Sequence, residues 1–282
     1  MIMKKTLTLI FVTVITMSSC SKQNAVDISK NSTTPTTLLT SIVDNTPNSY
    51  SFGQKLFEFF YNGKQLTKAQ TYSYNLVNSQ TTVDTTILNF IYDNTGEIIS
   101  VGGPAGTSLV SYNGNNINEV KAAYAGIRDF TFSYQTGKLV NWAWKDIPDH
   151  GYYYFNCPLT YDANGNVTEE NVQNSGSVAN GTETYQYYNY DNKNSLSNAF
   201  TLPSYIIVSF IIAIGDYDHY LGYSHGNSVN NPTLMVFDDG VSTTSSNITY
   251  EYNSYNFPSM ISYSANANFS AESYKYSYIQ VN

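Results

Sequence analysis

The feature that most constrains the fold is a turn pattern that recurs along most of the chain. A strand-like segment ends in Tyr, a turn containing Asp, Asn or Gly follows, and the next segment begins with an aliphatic residue. Asp or Asn opens such a turn by bonding its own backbone, and Gly takes the left-handed conformation that closes a hairpin with a bulge. Six stretches carry the pattern: 61–63, 92–96, 112–114, 134–137, 161–165 and 190–194. Residues 252–256 carry a degenerate form.

The segments that flank these turns alternate between apolar and polar residues. Phe130, Phe132 and Tyr134 share one face of a strand, and Thr131 and Ser133 lie on the other. Residues 140–144, 248–252 and 274–278 follow the same period of two. This period is typical of antiparallel strands with one packed and one solvated face. The sequence therefore predicts an all-β domain of consecutive antiparallel hairpins.

A late insert interrupts the rhythm. Residues 205–214 read YIIVSFIIAI, which is apolar but too short to span a bilayer. The segment fits a buried strand or a short helix, and we expect a short helix or irregular plug near 205–222 that covers one mouth of the sheet. Either form needs burial, which favours one large sheet that is closed or strongly curled.

Residues 161–167, YDANGNV, closely resemble the YD repeat of surface-shell proteins. The whole layout of residues 50–282 resembles a family of Gram-negative surface lipoproteins of unknown function with a porin-like β-fold. The stretches that carry the resemblance are the hairpins, the Gly-Asp-Tyr-Asp turn at 215–218 and the Asn-Asn-Pro step at 230–232. The resemblance implies a porin-like partial or closed barrel, and it implies no catalytic residues.

The N-terminus carries a targeting signal. Lys4 and Lys5 precede an apolar run over residues 7–17, the length of a signal-peptide core. Ser18-Ser19-Cys20 resembles the lipobox of bacterial lipoproteins. The resemblance implies cleavage before Cys20, lipid on its sulfur, and attachment to the outer membrane on its periplasmic or cell-surface face.

The chain then divides into three parts. Residues 1–19 are the expected lipoprotein signal peptide, and residues 50–282 are the expected β-hairpin domain. Between them lie the lipidated Cys20 and a segment rich in Ser, Thr, Asn and Pro. That composition predicts a flexible spacer over residues 20–49.

Charge excludes one class of partner. After Cys20 the chain has 11 basic and 21 acidic residues, a formal net charge of −10, and Arg128 is its only arginine. A nucleic-acid ligand needs a basic surface, and none is predicted. The 27 Tyr residues suit contacts with a glycan or an envelope protein, although Tyr also simply favours strands.

Two clusters of ionisable residues could carry chemistry. Asp216, Asp218 and His219 follow the apolar insert and could ligate a metal or act as acid and base, or could simply form a solvated turn. Carboxylates near Pro148 could hydrolyse a glycoside if a partner lay at the right distance, or could form a polar loop. This second cluster comprises Asp146, Asp149 and His150.

Trp142 and Trp144 lie two residues apart and so share one strand face. They predict either a stacking platform for a sugar ring, with Asn141 at its rim, or a pair of core side chains. With Cys20 lipidated, Cys157 is the only thiol, and we expect it to be buried and structural. No motif implies a cofactor. The favoured hypothesis is a non-enzymatic binding or accessory module of the cell envelope, and the alternatives are a carbohydrate-active enzyme and a structural shell or barrel protein.

Overall fold

The computed structural model describes residues 36–77, 80–104, 106–122, 129–145, 153–176, 181–201, 207, 209 and 228–281. Sixteen strands and one short 3₁₀ turn account for most of these residues. The strands are β1 Thr36–Asp44, β2 Lys55–Asn62, β3 Gln65–Val77, β4 Gln80–Tyr92, β5 Ile98–Gly103, β6 Gly106–Asn113, β7 Asn116–Ala122, β8 Asp129–Gln135, β9 Lys138–Lys145, β10 Tyr153–Tyr161, β11 Val167–Gly176, β12 Gly181–Tyr190, β13 Pro232–Asp238, β14 Thr243–Tyr252, β15 Pro258–Tyr263 and β16 Glu272–Val281.

The strands form one closed antiparallel barrel in which each strand pairs with its neighbours in the sequence. The barrel closes where β1 pairs with β16, from Thr36 opposite Val281 to Asp44 opposite Tyr274. The prediction of an all-β fold of consecutive hairpins is confirmed, and the structure decides that the sheet is closed. Closure leaves no strand edge with unpaired backbone groups.

The first strand corrects the boundary of the predicted spacer. Residues 36–44, which the sequence-based interpretation placed in the spacer, form β1, and the folded domain therefore begins before residue 50. A bulge between Leu39 and Ser41 interrupts the period of two, so that Leu39 and Ile42, three residues apart, both belong to the core. The interrupted period explains why composition alone suggested a linker. Residues 20–35 lie outside the described part of the chain.

Three of the longer turns share one hydrogen-bonding scheme. The side chain of Asp93 accepts the backbone N–H groups two and four residues further on, those of Thr95 and Glu97, both at 2.9 Å. Asp162 and Asn253 do the same in their own turns. The polar residue after each Tyr therefore organises the turn by bonding its own backbone, as the sequence predicted.

Each of these turns also carries a bulge at the Tyr that precedes it. The register shifts between Ile91 and Tyr92 and between Thr160 and Tyr161, and equivalent shifts occur at the other turns. Gly165 has φ +90°, a conformation that favours glycine. A Cβ at that position would also lie 3.3 Å from the Val229 side chain. The predicted combination of left-handed Gly and bulge is confirmed.

The recurring tyrosines hold neighbouring turns together. The Tyr161 hydroxyl donates to the backbone carbonyl of Leu139 at 2.7 Å. Leu139 lies just beyond the preceding turn. We call the end of the barrel where these turns lie the tyrosine rim. The same bond recurs around it: Tyr61 to Leu39, Tyr92 to Leu66, Tyr112 to Ile98, Tyr190 to Val167, Tyr250 to Pro232 and Tyr278 to Pro258.

The interior of the barrel is packed with apolar side chains. Inward-facing residues form one hydrophobic cluster, to which almost every strand contributes and whose buried members are 0–8% exposed. Large members include Phe57, Phe130 and Tyr187. Residues that line a water-filled channel would keep contact with water. Among the described residues, the inward side of the wall therefore forms a packed core.

A connection after β12 covers the tyrosine-rim mouth. The 3₁₀ turn Leu196–Ala199 is buried at both ends, and the ring of Phe200 meets that of Phe59 on β2 edge-on at 5.3 Å. Because β12 and β2 are six strands apart in the wall, this segment crosses the mouth. Of the predicted plug near 205–222, Ile207 and Ser209 are helical and fully buried. The other residues of that prediction lie outside the described ones.

The Asn-Asn-Pro step fastens the far end of this connection. Asn231 donates its side-chain amide to the Asn194 carbonyl at 3.0 Å, and its backbone carbonyl accepts the Asp191 N–H at 3.0 Å. Asn230 donates its backbone N–H to the Asn166 side chain at 2.9 Å. Three separate turns are thereby joined at one point of the tyrosine rim.

We predict that removing one rim hydroxyl destabilises the barrel. Tyr161→Phe leaves the Leu139 carbonyl without this donor, which should lower the free energy of unfolding by about 1–2 kcal/mol. Urea unfolding followed by circular dichroism measures the change. Tyr255→Phe, at an exposed turn residue, is the control and should be neutral. Equal midpoints for the two variants would contradict the role given to the rim bonds.

We also predict a loss of stability at alkaline pH. Burial raises the pKa of Tyr112 to about 12, and burial likewise raises the pKa of Tyr92 and Tyr161. A Tyr in the unfolded chain ionises at about pH 10, so above that pH the unfolded chain releases protons that the folded chain retains. The urea midpoint should be constant up to about pH 9 and fall between about pH 10 and 12. An unchanged midpoint at pH 11 would refute the prediction.

Candidate functional site

The structure places the two predicted tryptophans inside the barrel. Trp144 is buried on β9 and stacks on Phe155 with ring centroids 5.5 Å apart. Trp142 lies 4.7 Å from the same ring and is partly buried against the core. Both side chains therefore fill the interior, the second of the two interpretations offered by the sequence. A bulge on β9 shifts the alternation at Val140, so that Leu139 and not Val140 faces inward with Trp142 and Trp144.

Asn141 lies on the opposite face of β9 from the tryptophans. Its side-chain amide donates to the Asn156 side chain on β10 at 2.9 Å, and Asn156 faces outward between the inward Phe155 and Cys157. The structure thus does not bring Asn141 and the indole rings together into one platform. A strand turns successive side chains to opposite faces, which separates Asn141 from its neighbour Trp142.

The structure does not describe the two predicted clusters of ionisable residues. Asp216, Asp218 and His219 are outside the described residues, as are Asp146, Asp149 and His150. Within the described ranges no group of three His, Cys, Asp or Glu side chains could hold a metal ion. Cys20 also falls in the part of the chain that is not described.

Cys157 is fully buried in the interior. Burial raises the pKa of its thiol well above the ordinary value, and the nearby Glu170 carboxylate acts in the same direction. The Trp142 indole N–H donates to the sulfur and opposes this shift only in part. A protonated, enclosed thiol is a poor nucleophile, and the expectation that Cys157 is buried is confirmed.

Among the described residues, a set of hydrogen-bonding side chains lies together on the outer face of the wall. On β10, β11 and β12 the outward positions carry amides and tyrosines in a diagonal row that we call the amide strip. Its members are Tyr154, Asn156, Gln173, Asn171, Gln186 and Tyr188. Asn156 donates to Gln173 at 3.1 Å, and Gln173 donates to Asn171 at 3.3 Å.

The lower end of the strip continues the same chemistry. Tyr188 donates to the Gln186 side chain at 2.9 Å, and Gln186 donates to the Glu169 carboxylate at 3.1 Å. Tyr154 and Tyr188 are 47% and 43% exposed. The strip was missed by sequence reasoning because its residues come from three strands. Only the register brings them together, although each is a polar or aromatic residue at an outward position of an alternating strand.

A second outer surface is aliphatic. Ile87 and Ile91 on β4, Ile99 on β5 and Leu109 on β6 are all exposed. Ile91 and Leu109 flank Ser100 in register and cover it, which leaves Ser100 only 8% exposed. We call this group the aliphatic strip. Exposed apolar side chains that lie together suit contact with another macromolecule.

The polarity of the wall differs from that of a membrane-spanning barrel. A spanning barrel has an apolar outer band and a polar interior. Here the inward residues are mainly apolar, with Glu170 as a buried exception, and outward residues such as Thr131, Ser133 and Asn247 are polar and exposed. The described residues contain no helix of sufficient length and hydrophobicity to cross a bilayer.

No protein-family model matches the chain, and no curated protein matches it. Among solved structures, the chain is similar to a porin-like protein from Bacteroides uniformis, with a TM-score of 0.55 and 14% identity over 87% of this chain and 98% of that one. A porin-like protein from Bacteroides vulgatus gives a TM-score of 0.43 and 13% identity over 86% and 99% of the two chains. The likeness to the B. uniformis protein shows the fold, and by fold this chain is a porin-like β-barrel.

We predict that Cys157 resists thiol reagents in the folded protein. In a Cys20→Ala variant Cys157 is the only thiol. Because it faces a packed interior, Ellman's reagent at pH 8 should leave it unmodified and should react with one thiol per chain once guanidinium unfolds the barrel. Rapid modification of the folded variant would show that water and reagent reach the interior, and would contradict the packed core.

Proposed function

We propose that this chain is a lipid-anchored, non-enzymatic binding or accessory module of the bacterial outer membrane, on its periplasmic or cell-surface face. The observation that carries the proposal is the distribution of polarity in the barrel. Among the described residues the interior is packed mainly with apolar side chains, so the surfaces open to a large ligand lie on the outside of the wall. A barrel with such a packed interior suits a scaffold better than a pore.

The anchor is proposed from the sequence. The lipobox-like Ser18-Ser19-Cys20 supplies the lipidation site. Because β1 begins at Thr36, the tether from Cys20 is shorter than the segment 20–49 suggested. The sixteen steps from Cys20 to Thr36 can span at most about 55 Å when fully extended. β1 begins at the tyrosine rim, which is therefore the end of the barrel to which the proposed tether attaches.

Two outer surfaces support a binding role. The amide strip offers neutral hydrogen-bonding groups between exposed tyrosines, which suit a glycan. The aliphatic strip offers exposed Ile and Leu side chains, which suit an envelope protein. The net charge of −10 after Cys20 disfavours nucleic acid and anionic surfaces.

Lipidation is tested by metabolic labelling with an alkyne analogue of palmitate in a Gram-negative host. Wild-type chain should take up the label and fractionate with the outer membrane. Cys20→Ala should lose both properties, and Cys157→Ala, which alters the chain's other cysteine, should retain them. Globomycin, which blocks lipoprotein signal peptidase, should cause the precursor to accumulate. Equal labelling of Cys20→Ala and wild type would refute the anchor.

A further inference from the structure

The amide strip has the dimensions of an extended ligand. Asn156, Gln173 and Thr182 are opposite one another on β10, β11 and β12. Tyr154 lies two residues above this row on β10, and Tyr188 lies six residues below it on β12. Eight residue steps of about 3.3 Å place the two rings about 26 Å apart along the strands, and two strand spacings add about 10 Å across them. The two tyrosines therefore mark the ends of an elongated path.

Hydrogen-bonding groups follow the path between the rings. The amides of Asn141, Asn156 and Gln173 donate in sequence, each to the next side chain, and end on Asn171. The amides of Asn156 and Gln173 each have a second N–H and a second acceptor lone pair that this chain of bonds leaves available. The mutual bonds hold the amides in place, so a ligand would meet groups that are already oriented.

The charge and the curvature of the strip indicate which class of ligand it could bind. Glu169 is the one carboxylate bonded to the strip among the described residues, and the strip itself consists of amides and phenols. Lys145 lies opposite Tyr154 on β9, so Glu169 and Lys145 give the surface one charge of each sign, too few to hold a polyanion or a polycation. A sixteen-stranded barrel is wide, so its wall over three strands is only gently curved. A long, neutral, hydroxyl-rich polymer fits these conditions.

We propose that the amide strip is a binding site for a neutral, linear polysaccharide. Sugar rings stack on the exposed faces of Tyr154 and Tyr188, and the amides between them bond the hydroxyls of the intervening units. The inference rests on the proposed binding function and deepens it, because it names the face of the barrel and the ligand class. The aliphatic strip on β4–β6 takes no part in it.

Affinity electrophoresis in native gels tests the site. The mature lipoprotein in a mild non-ionic detergent runs through gels that contain glucomannan, xyloglucan or amylopectin. At least one of these neutral polymers should retard it. Anionic polygalacturonate should not, because the chain is acidic and the strip itself consists of neutral amides and phenols. Titration with short and long oligosaccharides of the retarding polymer should show binding that strengthens with length, since a disaccharide cannot reach both tyrosines.

Matched variants locate the binding surface. Tyr154→Ala and Tyr188→Ala should each weaken the retardation about three- to tenfold, the loss expected for one stacking aromatic ring. Asn156→Ala, which interrupts the chain of amides at its centre, should weaken it as well. Tyr255→Ala and Val241→Ala remove exposed side chains outside both strips and should bind like wild type. Circular dichroism confirms that each variant retains the strand content of the wild type.

The outcomes separate this inference from the proposed function. Retardation that survives in the Tyr154→Ala, Tyr188→Ala and Asn156→Ala variants would overturn the site but leave a glycan-binding module. Wild-type protein that no neutral polymer retards would overturn the site while the labelling of Cys20 still tests the anchor. Release of reducing sugar from the polymer would instead contradict the non-enzymatic proposal.

Discussion

Closure of the barrel by the pairing of β1 with β16 is the constraint on which the rest of the structure depends. A sheet of this size with two free edges would expose unpaired backbone groups along Thr36–Asp44 and Glu272–Val281. Pairing of the two terminal strands removes both edges and gives every strand the same inward face. The apolar residues on that face then have a single enclosed volume to fill, which is why one contiguous cluster joins almost all of the strands.

The tyrosine rim links hairpins that follow one another in the chain, because each turn Tyr bonds a carbonyl of the preceding hairpin. A hairpin ends in Tyr because the phenol ring packs against the core while its hydroxyl reaches the carbonyl just beyond the preceding turn. The aliphatic residue that begins the next strand supplies that carbonyl and buries its own side chain, as Leu66 and Leu139 do. One repeat therefore specifies a turn, a bulge and a link to the neighbouring hairpin. Between β12 and β13, where the connection interrupts the repeat, the Asn-Asn-Pro step links the neighbouring turns through the side chains of Asn166 and Asn231.

The predicted and observed sites differ for a physical reason. The sequence identified Trp142 and Trp144 as a pair on one strand face, and this is correct, but it could not tell whether that face was inside or outside. The rings face the core and stack with Phe155. Asn141, the expected rim of the platform, belongs to the other face and joins side chains from β10 and β11. A functional surface built across strands depends on register, and the period of a single strand carries no register information.

The sequence by itself determined the all-β class, the order of hairpins, the chemistry of each turn and the presence of an apolar insert, because these follow from local alternation and from the conformational preferences of Asp, Asn and Gly. It also carried the lipobox-like Ser18-Ser19-Cys20. The tertiary structure decided that the sheet closes and that residues 36–44 form part of the wall. It also placed the tryptophans in the core and the amides of Asn141, Asn156 and Gln173 together on the outside. Those outcomes depend on pairing between strands far apart in the chain, which no local pattern records.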